Sequence, residues 1–448
     1  KHTRPCHTQN LVLNQKNNIY FFEYMRVRDK MELNDAIIAL TLSAEQLQHI
    51  RDALANKITE GLAQEGQQIK ALPAFLRRPN GQASGDAVVL DAGGTNVRAA
   101  HIAMQGKKVA FITEPQADRT LMHDAQTPGQ VSPRAFFERQ AALIQKICPA
   151  PEFNLGYCFS YPSTNTPDGD AALVNWTKGI NVANMVGVPL RAQLTDALKA
   201  QGQIAHHTPI LNDTVTTLAA AAWMEPDCDN YIGLIAGTGM NAAGFYRTEH
   251  ITKLSTDDAK GWQADELMAV NLEIGNFHPP FLSHFDDELD AAGLDDNPGK
   301  QRLEKALGGK YTAELYGRIV GREACLALPD AWAFDPEAGS RTHAGHVTQL
   351  RRYHGIMADV ATALIDRSAD LTAAALAGVL KSQDLKTDRQ HTIGILAEGT
   401  LFWQTEGYRE RVESTLNALI PNHVTVRILQ NKSDVDANFI GAACAALI

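Results

Sequence analysis

The chain has 448 residues, of which 44% are hydrophobic and 21% are charged, as in a globular protein with two or more domains. The net charge of −10 argues against a nucleic-acid partner, and no apolar run approaches the ~20 residues that a membrane-spanning helix needs. The six cysteines are scattered and include no Cys-x-x-Cys pair, so we expect a cytoplasmic protein in a reducing compartment, without a membrane partner.

Residues 1–30 differ from the rest of the chain. They are rich in Asn and in basic residues, contain the run Tyr20-Phe21-Phe22, and show no periodicity that could bury one face. They also lack the continuous apolar segment of a secretory signal. We interpret them as an extension, either disordered or artefactual, that precedes the folded protein.

The remaining chain alternates between helical and strand patterns, which predicts an α/β fold. Ser43 is a suitable N-cap for a helix that ends near residue 66. Strands are predicted at 87–91, 96–103, 108–113, 155–160, 209–211, 231–236, 241–246, 392–397 and 423–428. Further helices are predicted at 133–148, 189–201, 214–224, 406–419 and 434–447, and helical patterns dominate 300–380.

The most informative segment is Leu-Asp-Ala-Gly-Gly-Thr-Asn-Val-Arg at 90–98, a glycine turn between two predicted strands. Its glycines let the backbone approach a bulky ligand and direct N–H groups toward it. Asp91 can hold a metal ion through water, and Thr95, Asn96 and Arg98 add donors. The set suits a nucleoside triphosphate with magnesium, although a Gly-Gly hairpin alone is common.

A second glycine hairpin occupies 236–244, and its recurrence predicts a duplicated fold with a nucleotide between the halves. Between the two hairpins, an apolar strand ends in Asn212-Asp213. Asp213 either caps the following helix or accepts a proton from a substrate hydroxyl group. The Trp-Thr-Lys-Gly loop at 176–179 supplies a hydroxyl group and a cation, and alone it would be read as a solvated turn.

Together, these segments resemble the hexokinase family. The family's Asp-x-Gly-Gly-Thr-Asn-x-Arg, Phe-Ser-Phe-Pro, Trp-Thr-Lys-Gly, Asn-Asp-Thr, Gly-Thr-Gly-x-Asn-Ala and Asn-x-Glu-x-Gly-x-Phe motifs have counterparts here in the same order. They stand at 91–98, 159–162, 176–179, 212–214, 237–242 and 271–277, and 301–305 with 309–311 adds a further match. The similarity spans about residues 40–448 in a single copy, as in a single-unit hexokinase or glucokinase.

The resemblance implies a two-lobed actin-like ATPase fold of the ribonuclease H-like type, with duplicated mixed sheets and a ligand cleft between the lobes. The small lobe would hold 84–209 and 434–448, and the large lobe 31–83 and 210–433. The implied activity is transfer of the ATP γ-phosphoryl group to the 6-hydroxyl group of a hexose, glucose first among them, as in the first step of glycolysis. ATP and Mg²⁺ would be the cofactors, and a homo-oligomer stays open.

The same motifs imply the site residues. The sugar pocket would be lined by Ser160, Thr177, Lys178, Asn212, Asp213, Asn241, Glu273 and Glu304. Asp213 would take the proton from the sugar, while Lys178 and Arg98 would neutralise charge on the transferring phosphoryl group. The nucleotide would be held by Asp91, Gly93, Gly94, Thr95, Asn96 and Arg98 from one lobe and by Gly237, Thr238, Gly399 and Thr400 from the other, with Asp91 holding Mg²⁺ through water.

The chain departs from the family pattern in places. Residues 163–166 read Ser-Thr-Asn-Thr where Gln-Thr-Ser is usual, and Glu398 stands where aspartate is usual. The changed segment at 436–443 leaves the adenine contacts open, and 247–268 matches poorly. The alternatives are a kinase specific for fructose, mannose or glucosamine, and a non-catalytic sugar sensor. An actin-like assembly protein would lack the Thr-Lys-Gly and Asn-Asp-Thr segments.

Overall fold

The computed structural model of the chain describes residues 30–94, 96–127, 129–176, 180–293, 298–328, 332–338 and 341–448. The predicted extension lies outside the described residues, except for Lys30, which begins the first helix. Three predicted site residues also lie outside them, namely Thr95, Thr177 and Lys178.

Helices account for much of the described chain. None of the helices in the described ranges combines the length and apolar character that crossing a bilayer requires. The helices are α1 (Lys30–Leu40), α2 (Ala44–Ala63), α3 (Arg119–Ala125), α4 (Pro133–Ile147), α5 (Leu190–Ala200), α6 (Asp213–Met224), α7 (His284–Ala291), α8 (Arg302–Leu307), α9 (Gly309–Val320), α10 (Arg322–Leu326), α11 (Arg341–Leu350), α12 (Ile356–Ser382), α13 (Thr400–Gln404), α14 (Tyr408–Leu419) and α15 (Ala437–Ala446).

Two mixed β-sheets organise the described residues, together with two short strand pairs. The strands are β1 (Leu72–Arg77), β2 (Gly85–Ala92), β3 (Val97–Gln105), β4 (Lys108–Asp118), β5 (Glu152–Phe153), β6 (Leu155–Phe159), β7 (Ser163–Asn165), β8 (Ala171–Leu173), β9 (Ile204–Ala205), β10 (Ile210–Leu211), β11 (Asn230–Ala236), β12 (Met240–Arg247), β13 (Leu267–Asn271), β14 (His391–Glu398) and β15 (Val424–Leu429). The five-stranded sheet has the order β10-β6-β2-β3-β4, and the six-stranded sheet has the order β1-β13-β12-β11-β14-β15.

The two sheets share one topology. In the first sheet, β2 and β3 form an antiparallel hairpin, β4 pairs antiparallel with β3, and β6 and β10 continue in parallel on the other side of β2. In the second sheet, β11, β12, β13, β14 and β15 repeat these pairings in the same order, and β1 adds an antiparallel edge. The predicted duplication of a glycine-hairpin unit is therefore confirmed.

The last helix of each half packs on the sheet of the other half. Helix α6 follows β10 of the five-stranded sheet but packs against β11 and β14, whereas α15 follows β15 of the six-stranded sheet but packs against β6 and β2. The two helices also pack against each other, and residues of both sheets share one core with them. This crossing joins the two halves of the molecule.

Glycines make the crossing close. A Cβ atom at Gly156 of β6 would overlap the carbonyl oxygen of Ala442 in α15, and a Cβ atom at Gly441 of α15 would overlap the carbonyl oxygen of Thr216 in α6. Backbone therefore lies directly on backbone at both contacts, and no side chain fits between them.

Most predicted elements agree with the structure to within a few residues. The helix predicted at 406–419 begins later, because a left-handed Gly407 separates α13 from α14. Elements without a predicted counterpart include α1, α3, α7, β1 and β13.

We expect Gly156→Ala to lower the free energy of unfolding by about 1–3 kcal/mol, because the added methyl group forces α15 away from β6. Urea denaturation measures the change. Gly345→Ala is the control, since Gly345 lies exposed on α11 with open space around it. Alanine there should raise stability by about 0.5–1 kcal/mol through its higher helix propensity. Equal effects of the two substitutions would contradict the close-packing argument.

Candidate active site

The first glycine hairpin presents a buried carboxylate at the end of β2. Asp91 is 6% exposed and lies opposite Arg98 in the β2–β3 register. Arg98 donates to Asp91 Oδ2 through Nη2 at 2.7 Å and Nε at 3.2 Å, and it also pairs with Asp436, the N-cap of α15. The turn is closed by the Gly93 N–H group, which donates to the Asn96 carbonyl oxygen at 3.1 Å. Two of the predicted nucleotide ligands, Asp91 and Arg98, thus belong to one ion-pair network.

A buried thiol lies between the end of β2 and the start of α6. Cys158 lies beside Asp91 in the parallel β2–β6 pair, and its Sγ atom lies 3.6 Å from the Thr216 hydroxyl oxygen. Burial raises the pKa of Cys158 well above its usual value, and the negative charges of Asp91 and Asp213 raise it further. Burial likewise raises the pKa of Asp91, with Arg98 offsetting part of the increase. The Thr216 hydroxyl oxygen also lies 2.8 Å from the Asp213 carbonyl oxygen, so the start of α6 lies next to the strand pair that carries Asp91.

The structure shows which residue caps α6. Asn212 is the N-cap, and its side-chain oxygen accepts the Thr214 N–H group at 3.0 Å. Asp213 is the first residue of the helix, and its Oδ1 atom accepts the same N–H group at 2.8 Å. Asn212 therefore occupies the capping position that the sequence offered for Asp213, and Asp213 supplies a second acceptor for the same N–H group.

Aromatic packing positions the segment after β6. The Ser160 N–H group donates to the Ala92 carbonyl oxygen at 3.1 Å, which joins this segment to the first hairpin. The Tyr161 hydroxyl group donates to the Gly93 carbonyl oxygen at 2.9 Å, and its ring lies 4.7 Å from that of Trp176. Trp176 directly precedes the Thr-Lys-Gly loop, which lies outside the described residues.

A second polar cluster lies at the corresponding edge of the six-stranded sheet. Asn241 Nδ2 donates to Asn271 Oδ1 at 2.9 Å, and Asn271 Nδ2 donates to Glu273 Oε1 at 2.8 Å. Glu273 is 9% exposed and has a left-handed backbone with φ of 60°, which is uncommon for a residue with a side chain. Asn271 was part of the Asn-x-Glu motif, but it was not among the predicted site residues. Here it holds the Glu273 carboxylate in place.

The second glycine hairpin is fastened to α8 and α9. Glu304 of α8 accepts the Met240 N–H group at 2.9 Å. The N–H groups of Gly309 and Lys310 at the start of α9 donate to the carbonyl oxygens of Gly237 at 2.8 Å and Thr238 at 3.0 Å. The turn therefore has a fixed position relative to the Glu304 carboxylate.

A third loop meets this hairpin between β14 and α13. Gly399 has φ of 122°, and its Cα atom would lie 3.3 Å from a Cβ atom at Gly237. Burial, and then the charge of Asp436, raise the pKa of Glu398 to about 7. Beyond Thr400, a cavity of about 510 Å³ is bordered by Trp403 among others. Asp436, which the sequence did not single out, therefore pairs with Arg98 and contributes to the raised pKa of Glu398.

Comparison with known proteins identifies the family. One family model, described as Hexokinase, matches residues 32–223, and a second of the same description matches residues 231–448. Hexokinase-2 of Oryza sativa subsp. japonica is 30% identical over 446 residues, which cover 90% of this chain and 87% of the rice protein. Hexokinase-1 of Spinacia oleracea is 28% identical, with 90% of this chain and 87% of the spinach protein covered.

The fold agrees with that comparison. A solved structure of a hexokinase from Schistosoma mansoni, complexed with glucose, superposes with a TM-score of 0.76 at 22% identity, and covers 93% of this chain and 98% of that chain. The architecture is the two-lobed actin-like ATPase fold that the resemblance implied. By its two family models, its relatives and its fold, the chain belongs to the hexokinase family, whose members phosphorylate hexoses.

Proposed function

We propose that this protein transfers the γ-phosphoryl group of ATP, bound with Mg²⁺, to the 6-hydroxyl group of a hexose, with glucose as the preferred sugar. The observation that carries the proposal is the position of Asp213. It begins α6 directly after the five-stranded sheet and is linked through Thr216 to Cys158, the neighbour of Asp91 in that sheet. It also belongs to a helix that packs on the sheet of the second hairpin. Glucose is the sugar named for the schistosome structure.

Asp213 would act as the general base. As the sugar oxygen attacks the γ-phosphorus atom, the 6-hydroxyl proton passes to the Asp213 carboxylate and ADP leaves with the electron pair of the broken P–O bond. Asn212 is buried and fixes the start of α6, so the carboxylate is held by a rigid element. Lys178 would offset the charge on the transferring group.

The donor set around Asp91 fits Mg²⁺. No group of three or more His, Cys, Asp or Glu side chains in the described ranges is arranged to hold a metal. Mg²⁺ in phosphoryl-transfer sites does not need such a cage, because one or two carboxylates, water and the substrate phosphates complete its shell. Asp91 would hold the ion, and the ion would neutralise charge on the β- and γ-phosphates.

The two hairpins would hold the triphosphate from opposite sides. Arg98 is paired with two carboxylates here, and we propose that phosphate oxygens replace Asp436 as one partner. Backbone N–H groups of the first turn would contribute, with Thr95 among them. Gly237, Thr238, Gly399 and Thr400 would contact the phosphates from the second sheet, and the cavity beyond Thr400 offers space for the base.

The sugar would be bound by acceptors from both halves. Carboxylate and amide oxygens accept hydrogen bonds from hexose hydroxyl groups. Sugar binding would then draw the two lobes together and exclude water from the phosphoryl group. The proposed small lobe comprises 84–209 and 434–448, and the proposed large lobe comprises 31–83 and 210–433. The proposed sugar ligands are Ser160, Thr177, Lys178, Asn212, Asp213, Asn241, Glu273 and Glu304.

Coupled detection of ADP release tests the proposal, with glucose, fructose, mannose and glucosamine as acceptors and with no sugar. We expect the highest kcat/KM with glucose and far slower release without sugar. A higher value with another hexose would correct the substrate. Sugar binding in calorimetry without any ADP release would identify a non-catalytic sugar sensor instead.

Asp213→Asn should lower kcat by about 10²–10⁴-fold while hexose affinity stays nearly unchanged. Asparagine keeps the oxygen that accepts the Thr214 N–H group, but it cannot take a proton. Steady-state kinetics and calorimetry separate the two effects. Asp227→Asn removes the same charge at an exposed position and should leave kcat unchanged. Near-normal turnover of purified Asp213→Asn would remove the residue from the proposed role.

Glu273→Gln should weaken hexose binding by about 1–3 kcal/mol, because the sugar loses a charged acceptor. Nucleotide affinity without sugar should hardly change, and titration calorimetry measures both. Glu249→Gln, at an exposed position on the same half, is the matched control. Equal losses of sugar and nucleotide affinity would indicate that Glu273 is structural.

Nucleotide affinity should fall as pH rises through about 7, because ionised Glu398 then repels the phosphates bound at Gly399 and Thr400. Glu398→Gln stays neutral at every pH. The dissociation constant of the wild type for Mg²⁺–ADP, divided by that of the variant, should therefore increase between pH 6 and pH 8, roughly one pH unit on each side of the Glu398 pKa. The ratio cancels the titration of the nucleotide itself. A ratio that stays constant across this range would refute the assigned charge effect.

A further inference from the structure

Three cations that the proposed reaction does not use are buried in the second half of the molecule. Arg302 and Lys305 of α8 and Arg367 of α12 are 4%, 3% and 2% exposed. Burying a charge costs free energy unless the charge is paired and hydrogen-bonded. Each of these cations therefore depends on a specific partner, and in every case that partner is a carboxylate of α7.

Asp290 is the partner that joins three segments. Its Oδ1 atom lies 2.8 Å from Lys305 Nζ, and its Oδ2 atom lies 3.1 Å from Arg302 Nη1. The Oδ2 atom also accepts the Gly299 N–H group at 2.7 Å, from the segment that leads into α8. Asp290 itself is 8% exposed. One buried carboxylate thus connects α7, α8 and the loop before α8.

Helix α7 is in turn fixed to the longest helix of the described chain. Arg367 of α12 donates to both oxygens of Asp286, at 2.6 Å and 2.9 Å. The same carboxylate accepts the Ser283 N–H group at 2.9 Å. Helix α7 is therefore a rigid support, and Asp290 extends that support to α8.

Helix α8 carries Glu304, one of the proposed sugar ligands. It has six residues, too few for a helix to be stable without tertiary contacts, and the preceding Gln301 has a left-handed backbone with φ of 52°. Glu304 lies between Arg302 and Lys305 in the sequence, and its carboxylate accepts the Met240 N–H group. Arg367 and Ser368 of α12 also donate to backbone carbonyl oxygens at the end of α8. The orientation of Glu304 within this frame depends on the contacts of its two neighbours.

We propose that Asp290 is a positioning residue for the hexose: by binding Arg302 and Lys305 it fixes the rotation of α8, and so the place of the Glu304 carboxylate in the sugar pocket. Buried ion pairs give little net stability compared with apolar packing, but they are directional and fix geometry. The proposal rests on the proposed function, because it assumes that Glu304 contacts the sugar.

A double-mutant cycle tests the coupling, with glucose affinity measured by calorimetry for the wild type, Asp290→Asn, Glu304→Gln and the double variant. We expect Asp290→Asn to weaken glucose binding by about 10- to 100-fold, as displacement of a binding group does. In the Glu304→Gln background the same change should cost less than about 3-fold, because the group it positions is already altered. Mg²⁺–ADP affinity should not change.

Asp287→Asn is the matched control. Asp287 pairs with the same Arg302, but its side chain is 70% exposed, so its loss leaves the Asp290 contacts in place. Glucose affinity should therefore stay at the wild-type value. An equal loss in Asp287→Asn and Asp290→Asn would overturn the assignment to Asp290.

The outcomes separate the two proposals. Additive losses in the cycle, or unchanged glucose affinity in Asp290→Asn, would overturn the positioning role while leaving the proposed function intact. Unchanged affinity in Glu304→Gln alone would overturn its sugar contact, and the positioning role with it. Where Asp290→Asn does not fold by circular dichroism, Asp290→Leu combined with Lys305→Met replaces it in the same cycle. This pair of substitutions removes the Asp290–Lys305 ion pair, while Arg302 keeps Asp287 as its partner.

Discussion

The backbone contact between α6 and α15 is the constraint on which the arrangement of the site depends. Each helix begins at the site: Asp213 opens α6, and Asp436 caps α15 and pairs with Arg98. The Thr216 hydroxyl group, which lies 2.9 Å from Asn438 Oδ1, ties the two first turns together. Two helix N-termini, both favourable to negative charge, are thus set at a fixed separation beside the residues that we propose for the triphosphate.

Polar residues on the six-stranded sheet are held at some conformational cost. A left-handed backbone at a non-glycine residue such as Glu273 costs about 1–3 kcal/mol and persists only where the surroundings impose it. Asn241 and Asn271 supply those surroundings by donating to the Glu273 carboxylate. The Glu273 carboxylate, which we propose as a sugar ligand, is therefore oriented by contacts within the protein, and such orientation reduces the ordering cost of binding.

Local patterns account for what the sequence could predict. The glycine hairpins, the strand-end Asn212-Asp213 and the long helices each have a signal within a few residues, and the structure confirms their elements. Strand β1 escaped prediction because it contains Pro73 and a left-handed Phe75, both unusual in a strand. The roles of Asp436 and Asp290 could not be predicted for another reason. Arg98, the partner of Asp436, is distant in the sequence, and Lys305, the partner of Asp290, lies beyond a loop, so no short motif encodes either contact.

The last helix of each half packs on the sheet of the other half, and this arrangement bears on how such a molecule could have arisen. The two matching family models divide the chain between residues 223 and 231, next to the end of α6 at Met224. A fragment cut there would keep α6, whose residues 214–223 are all buried, but would lose the sheet that covers it. The halves are alike in topology, yet each relies on the sheet of the other to cover its last helix. A second copy of one half could cover this helix in the way that the other half covers it here, which is the arrangement of a domain-swapped dimer.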